Sequence, residues 1–123
     1  APTLLGKGRQ RLVALRGARL LETLVPPSIW QVWLDQTGEA VTESSERLYF
    51  DSAQVMYEAA AHGLGVALGI RPLVDPYLRD GRLVQATSRS ITLPGGYYVA
   101  ALPSMLKEPA VRSFWQWLVE QIA

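Results

Sequence analysis

Short apolar runs alternate along the chain with stretches in which apolar positions recur at helical spacing. Residues 47–50 and 65–70 are predicted strands, and the near-continuous apolar run of the second is typical of a parallel strand covered on both faces. The helical stretch 51–62 lies between them. Strand, helix and strand therefore fit into 47–70. With a further short strand at 19–22, the pattern predicts an α/β sheet with right-handed crossovers.

Start and stop signals bound two helices in this part of the chain. Ser28 with Gln31 three residues later resembles a capping box, and Gly38 is predicted to close the helix that follows. Asp51 is predicted to cap the second helix, because its carboxylate can accept from the backbone N–H three residues on. Gly63 is predicted to end that helix in a left-handed conformation.

Prolines interrupt the second half of the chain. Pro72 is predicted in the first turn of a short helix that Pro76 makes irregular, and the last strand is predicted over 97–102. Pro109 begins a predicted terminal helix. Its apolar stripe consists of Val111, Phe114, Trp115, Leu118 and Ile122. Trp117 lies off that stripe, which indicates either a second packing surface or a single exposed tryptophan.

The composition is typical of a globular domain and argues against a direct role of the chain in nucleic-acid binding. Its 123 residues suffice for one domain, with 49% apolar and 19% charged positions. A net charge of +1 is too small for sequence-independent binding to phosphates. Residues 1–21 contain bases and no acid, a pattern that fits a nucleic-acid arm or an ordinary solvated face.

The residue types present exclude several kinds of site. The sequence has no cysteine for a disulfide or thiolate site, and no paired Asp or Glu spacing beside its single histidine, His62, indicates a metal site. We therefore predict no metal and no cofactor. No apolar stretch is long enough for a bilayer span, and the first residues do not resemble a secretory signal, which predicts a cytoplasmic protein without membrane contacts.

Catalytic arrangements are not evident either. Ser52 and His62 would stand at opposite ends of one helix, roughly 15 Å apart at 1.5 Å per residue, which is too far for proton transfer. No serine lies in a Gly-x-Ser-x-Gly elbow. Gly63, Gly65 and Gly69 flank a strand, whereas a phosphate loop would lead into a helix. We predict that the chain is not an enzyme.

The junction Asp51-Ser52 is the most informative position, because a predicted strand ends there and a helix begins. In open α/β sheets, ligands bind outside the carboxyl ends of strands, where helix N-termini offer free N–H groups to carboxylates and other anions. Ser52 adds a hydroxyl, and Ile70 ends the next strand at the same sheet edge. Simple helix capping explains the junction as well, so the residues alone leave both interpretations open.

Several segments, taken in order, resemble a known family. Phe50-Asp51-Ser52, Glu58-Ala59-Ala60, the run from Gly63 to Leu68 and Leu83-Val84 are similar to the second half of the effector-binding domain of LysR-type transcriptional regulators. A further set of motifs resembles the branch of the glycine-cleavage and β-lactamase activators. That set consists of Trp30-x-x-Trp33-Leu34 followed by Gly38, Gly96-Tyr97-Tyr98, and Pro109 leading to Phe114-x-x-Trp117-Leu118.

The resemblance implies a periplasmic-binding-protein-like fold of type II, in which two Rossmann-like α/β lobes with mixed or parallel sheets enclose a small-molecule inducer. Residues 1–93 would form lobe II, and residues 94–123 would be the strand and helix that return to lobe I. Most of lobe I and the N-terminal helix-turn-helix would lie outside this chain. DNA would therefore be bound only through that helix-turn-helix.

The resemblance also implies a set of site residues and partners. Ser52 matches the serine or threonine that faces the cleft from a helix N-terminus, Ile70 and Tyr97 match cleft-lining positions, and Gln54 is a further candidate. The expected partners are a small-molecule effector and other copies of the chain, in a dimer or tetramer. Effector binding would change the lobe angle and thereby the geometry of the DNA-bound oligomer.

Two other functions stay open at this point. A lobe of a solute-binding transport protein shares the implied fold, although the first residues lack the signal sequence that such a protein needs. A small α/β hydrolase that uses Ser52 is the second alternative, and the missing base and elbow disfavour it.

Overall fold

The computed structural model describes residues 17–25, 29–39 and 46–122. The chain divides into two compact units, one that ends at Ile91 and one that begins at Thr92. The elements of the first unit are β1 (Leu20–Thr23), α1 (Ile29–Thr37), β2 (Arg47–Phe50), α2 (Ala53–Ala61), β3 (Val66–Ala67) and α3 (Asp75–Arg79). Those of the second are a 3-10 turn (Met105–Lys107) and α4 (Pro109–Ile122).

A three-stranded parallel sheet forms the centre of the first unit. The strand order is β2-β1-β3, and Leu21 of β1 lies beside Leu48 of β2 and Ala67 of β3. Helices α1 and α2 connect parallel strands, which confirms the predicted α/β sheet. Strand β2 has the predicted bounds. Strand β3 is shorter than the predicted 65–70, because its pairing with β1 ends at Ala67.

The two faces of β1 contribute to separate hydrophobic cores. Leu20 packs with Trp30 and Trp33 of α1, whereas Leu21 packs with a cluster that includes Met56 and Tyr57 of α2. Successive side chains of a strand point to opposite faces, so one short strand anchors both helix layers. All of its residues are buried.

A charged residue is buried within β1. Glu22 is 4% exposed, and its Oε2 accepts a hydrogen bond from Arg47 Nη1 at 3.0 Å, while its Oε1 has no partner in the described part of the chain. A buried carboxylate needs a partner to offset its lost hydration. The pair therefore ties β1 to β2 through their side chains as well as their backbones.

Glycines end the first two helices as predicted. Gly38 and Gly63 have φ values of 68° and 84°, which only glycine adopts without strain. His62 is the C-cap residue of α2, and its Nδ1 lies 2.8 Å from the Glu58 carbonyl oxygen. Gly65 serves a different purpose, because a Cβ there would lie 2.3 Å from the carbonyl oxygen of Arg19.

Two predicted helix starts are wrong. Helix α2 has Ser52, not Asp51, as its N-cap residue, because the backbone of Ser52 is still extended and helical geometry begins at Ala53. Helix α3 begins at Asp75 with Pro76 in its first turn, where a proline needs no backbone hydrogen-bond donor, so Pro72 lies before the helix. The basic segment 1–16, Ser28 of the predicted capping box and residues 40–45 lie outside the described residues.

The predicted strand over 97–102 is also wrong. No part of it pairs with another described strand, and Tyr97 and Tyr98 are 66% and 83% exposed. A strand requires a neighbour that satisfies its N–H and C=O groups. The apolar pattern of this segment therefore forms no strand by itself.

Helix α4 begins at Pro109 as predicted, but none of its side chains is buried. Phe114 and Ile122 of the predicted stripe are 60% and 63% exposed. Trp117 contacts the stripe after all, because its ring stacks on Phe114 with 5.9 Å between the centroids. Within the described ranges, no helix has the length and apolarity needed to cross a bilayer.

We expect the replacement Trp30→Ala to lower the free energy of unfolding by about 3–5 kcal/mol. The ring is 2% exposed, and its Nε1–H donates to the Leu21 carbonyl oxygen at 2.9 Å. Trp117→Ala is the matched control and should lower it by about 1 kcal/mol or less, because that ring is 54% exposed. Urea unfolding followed by circular dichroism measures both, and equal losses would contradict the core position of Trp30.

Candidate functional site

The carboxyl ends of the three parallel strands meet at one edge of the sheet. We call this the carboxyl edge and define it by Leu24 and Val25 after β1, Ser52 and Gln54 after β2, and Ile70 after β3. Ser52 follows β2 and Ile70 follows β3, and these two strands flank β1 on its two sides. The Leu24 N–H donates to the Phe50 carbonyl oxygen at 2.8 Å, which holds the end of β1 against β2.

Ser52 occupies the N-cap position of α2 without capping it. Its backbone is extended, with φ of −133° and ψ of 132°, and its hydroxyl makes no hydrogen bond with the helix. Its carbonyl oxygen accepts the first helical bond, from Met56 N–H at 3.0 Å. The first-turn N–H groups therefore lack the side-chain acceptor that an N-cap serine usually provides. This geometry does not support the capping interpretation of the junction.

Gln54 and Ile70 lie at the same edge in different settings. Gln54 is exposed in the first turn of α2. Ile70 is half-buried, its N–H donates to the Tyr57 hydroxyl at 2.9 Å, and its carbonyl oxygen accepts from Val74 N–H at 3.0 Å. Sequence reasoning did not identify Tyr57, which links α2 to the segment that follows β3.

A side-chain network surrounds that link. The rings of Tyr57 and Tyr77 meet edge to face, with 5.6 Å between the centroids. The Tyr77 hydroxyl donates to Glu58 Oε1 at 2.9 Å, and both terminal nitrogens of Arg82 bond the Glu58 carboxylate. The Arg82 guanidinium also lies 5.0 Å from the centre of the Tyr77 ring. Helices α2 and α3 and the turn after α3 are thus joined through one carboxylate.

The network changes the acidity of its members. The hydrogen bond from Arg82, followed by that from Tyr77, holds the pKa of Glu58 below its ordinary value of 4.5. Burial, followed by the hydrogen bond to Glu58, raises the pKa of Tyr77 above its ordinary value of 10.0. Both groups therefore keep their usual charges at neutral pH, and the network is structural in character.

The carboxyl edge offers binding chemistry. Leu24 and Val25 after β1 are 54% and 79% exposed, and at the same edge the half-buried Ser52 and the exposed Gln54 stand at the N-terminus of α2. His62 caps the opposite end of α2 and cannot activate Ser52. Among the described residues, no group of three acidic or histidine side chains could hold a metal ion. Such a surface suits a small ligand with both polar and apolar parts.

Tyr97 is the fourth residue predicted for the site, and it belongs to the second unit. Its side chain is 66% exposed. The structure therefore brings Ser52, Gln54 and Ile70 to one edge of the first unit. A contribution of Tyr97 to the same site stays a prediction.

Comparison with known sequences identifies one family. The family described as the LysR substrate binding domain matches residues 1–123. The chain is 35% identical over 94 residues to the HTH-type transcriptional activator AmpR of Enterobacter cloacae, which covers 76% of this chain and 32% of that protein. It is 33% identical over 104 residues to the HTH-type transcriptional regulator TrpI of Pseudomonas aeruginosa, covering 85% and 35%. The chain thus spans about a third of the length of these relatives.

Comparison with solved structures agrees. The AmpR effector binding domain from Citrobacter freundii superimposes with a TM-score of 0.72 and 30% identity, covering 94% of this chain and 56% of that one. A Citrobacter freundii effector binding domain with three substitutions gives a TM-score of 0.76 and 29% identity, covering 98% and 59%. These neighbours confirm the predicted periplasmic-binding-protein-like fold of type II.

We expect Arg82→Gln to raise the pKa of Glu58 towards 4.5, because Arg82 is the main cause that lowers it. A carboxylate with a lowered folded pKa stabilises the protein above its unfolded pKa, and this contribution is lost as the pH falls through the folded value. The stability difference between wild type and Arg82→Gln should therefore shrink in acid. Carbon-detected NMR titration of Glu58 and urea unfolding across pH measure the two effects.

The matched control is Arg79→Gln, because Arg79 is an exposed residue of α3 that makes no described contact with Glu58. It should leave the pKa of Glu58 where it is. Equal titration curves for wild type and Arg82→Gln would show that the ion pair does not form in solution.

Proposed function

The chain belongs to the LysR substrate-binding domain family, and from this membership we propose that it forms part of the effector-binding domain of a LysR-type transcriptional regulator. The resemblance inferred from its motifs is confirmed as to family. The matching relatives bear the names of transcriptional activators and regulators, which supports regulation of transcription as the role of the protein that contains this chain.

We propose that a small-molecule effector binds at the carboxyl edge. The observation that carries this proposal is the N-cap serine of α2, whose hydroxyl and adjoining first-turn N–H groups are not used in a cap. A helix N-terminus favours acceptor groups with negative charge, such as a carboxylate. Ser52 and Gln54 would bond the polar part of the effector, and Leu24, Val25 and Ile70 would contact its apolar part.

Tyr97 is proposed as a contact from the other lobe. The division of the chain at Ile91 and Thr92 falls two residues before the lobe boundary that the resemblance implies, at 93 and 94. The solved variant domain from Citrobacter freundii replaces a threonine, a serine and a tyrosine, and each replacement removes a hydroxyl. Serine and tyrosine are also the residue types of Ser52 and Tyr97.

The names of the relatives support DNA as a partner, and the family resemblance implies the oligomer. A helix-turn-helix in the same protein would bind DNA, and copies of the protein would associate as a dimer or tetramer whose geometry the effector alters. Such a regulator acts on DNA in the cytoplasm and is not an enzyme. Nothing in residues 17–25, 29–39 and 46–122 favours a transport protein or a hydrolase.

The first test is a thermal-shift screen of this chain, and of a protein extended to the length of the solved relative's domain, with amino acids, aromatic acids and cell-wall peptides. A ligand that stabilises the wild type should bind about fivefold more weakly to Ser52→Ala, the effect of losing a hydrogen bond worth about 1 kcal/mol. Ser90→Ala replaces an exposed serine away from the carboxyl edge and should change nothing. Unaltered stabilisation of Ser52→Ala would remove Ser52 from the site.

The role of Tyr97 in ligand binding is tested in the extended protein, with the neighbouring Tyr98 as the control. We expect Tyr97→Phe to weaken binding of the same ligand by about fivefold, whereas Tyr98→Phe should leave it unchanged. Tyr98 is the adjacent exposed tyrosine and is not among the predicted site residues, so it is the matched control. Equal effects of the two substitutions, or an effect of Tyr98→Phe alone, would contradict the assignment of Tyr97.

A further inference from the structure

Ile70 is held in place by a side chain at the point where strand pairing has ended. Strand β3 ends at Ala67, and residues 68–70 continue without pairing to β1. The Ile70 N–H donates to the Tyr57 hydroxyl at 2.9 Å. A backbone donor that would otherwise bond a neighbouring strand is therefore satisfied by a phenol from α2.

The same helix also carries two residues of the carboxyl edge, Ser52 at its N-cap and Gln54 in its first turn. Ser52 is the N-cap residue of α2, and Tyr57 lies five residues further along, about 7.5 Å at 1.5 Å per residue. The helix and the Tyr57 side chain together form a rigid connection from Ser52 to Ile70. This connection adds to the link that the sheet makes between the two residues through β2, β1 and β3.

The environment of Tyr57 makes this connection stiff. Tyr57 is 1% exposed, so its ring has no freedom to turn away from Ile70. The Tyr77 ring packs against it edge to face, and the Tyr77 hydroxyl is bonded to Glu58, the residue after Tyr57 on α2. On the other side of the contact, the Ile70 carbonyl oxygen accepts from Val74 N–H, so both backbone polar groups of Ile70 are bonded.

We propose that Tyr57 is a positioning residue of the carboxyl edge, whose hydroxyl sets the location of Ile70 relative to Ser52. Tyr57 does not touch the effector. This assignment depends on the proposed function for its relevance to effector binding, since it concerns the shape of the site proposed there. The contact itself is a property of the chain without any ligand.

The test compares wild type, Tyr57→Phe and Tyr77→Phe by NMR on the chain without ligand. Tyr57→Phe keeps the buried ring and removes only the hydroxyl, so the Ile70 amide should exchange with solvent at least about tenfold faster. The residual dipolar coupling of the Ile70 N–H should also change, while those of α2 stay the same. Tyr77→Phe removes a hydroxyl from the adjoining ring and should alter Ile70 exchange by less than about twofold.

A role in packing alone predicts no change at Ile70 in Tyr57→Phe, and that result would overturn the proposal. Equal acceleration in both variants would overturn it as well, because general loosening would then explain the effect. If Tyr57→Phe does not fold, amide exchange in the wild type provides the test. An Ile70 amide that exchanges as fast as in an unfolded chain would contradict the hydrogen bond to Tyr57. Since no effector is used, these outcomes are independent of whether Ser52→Ala weakens ligand binding.

Discussion

Strand β1 is buried on both faces and paired along both edges, and the other elements of the first unit depend on it. Its pairing partners are β2 and β3, and its side chains anchor α1 on one face and α2 on the other. Few residues are available for this, so each has a defined neighbour: Leu20 meets the two tryptophans, Leu21 meets the α2 cluster, and Glu22 pairs with Arg47. Close packing on every side gives the strand little freedom to shift its register.

Some features with local signals were predicted well, whereas the predicted strand over 97–102 failed for want of a distant partner. The bounds of β2 and the end of α2 at Gly63 follow from side-chain period and glycine conformation, both of which reside in consecutive residues. Residues 97–102 have the composition of a strand, but a strand exists only beside another strand, and the described chain supplies none there. The residue types of 97–102 correctly indicate a preference for strand, but they carry no information on whether a partner strand is present.

The candidate site shows the same division. Ser52 could be found from the sequence because it stands at a strand-to-helix boundary, and such boundaries are marked by residue type. Tyr57 could not be found, since an aromatic on the buried face of a helix is indistinguishable from ordinary core packing. Its role depends on Ile70, thirteen residues away and beyond a strand. Only the folded crossover brings the phenol to that amide.

Two polar groups at this sheet lack a usual hydrogen-bond partner, and they differ in whether a ligand could provide one. Glu22 Oε1 is buried in the protein, where no ligand can reach it. Its missing hydrogen bond therefore lowers the stability of the fold and serves no ligand. The Ser52 hydroxyl is partly open to solvent and stands at a helix N-terminus that it could cap, at a usual gain of about 1 kcal/mol. Departures from locally favoured structure are common at functional positions, because a hydrogen-bonding group that the protein leaves unused there can bond a ligand. Leu24 and Val25, exposed after β1, add apolar surface at the same edge of the sheet. The proposed binding site depends on this combination of unused hydrogen-bonding capacity and uncovered apolar surface, which an ordinary helix start does not require.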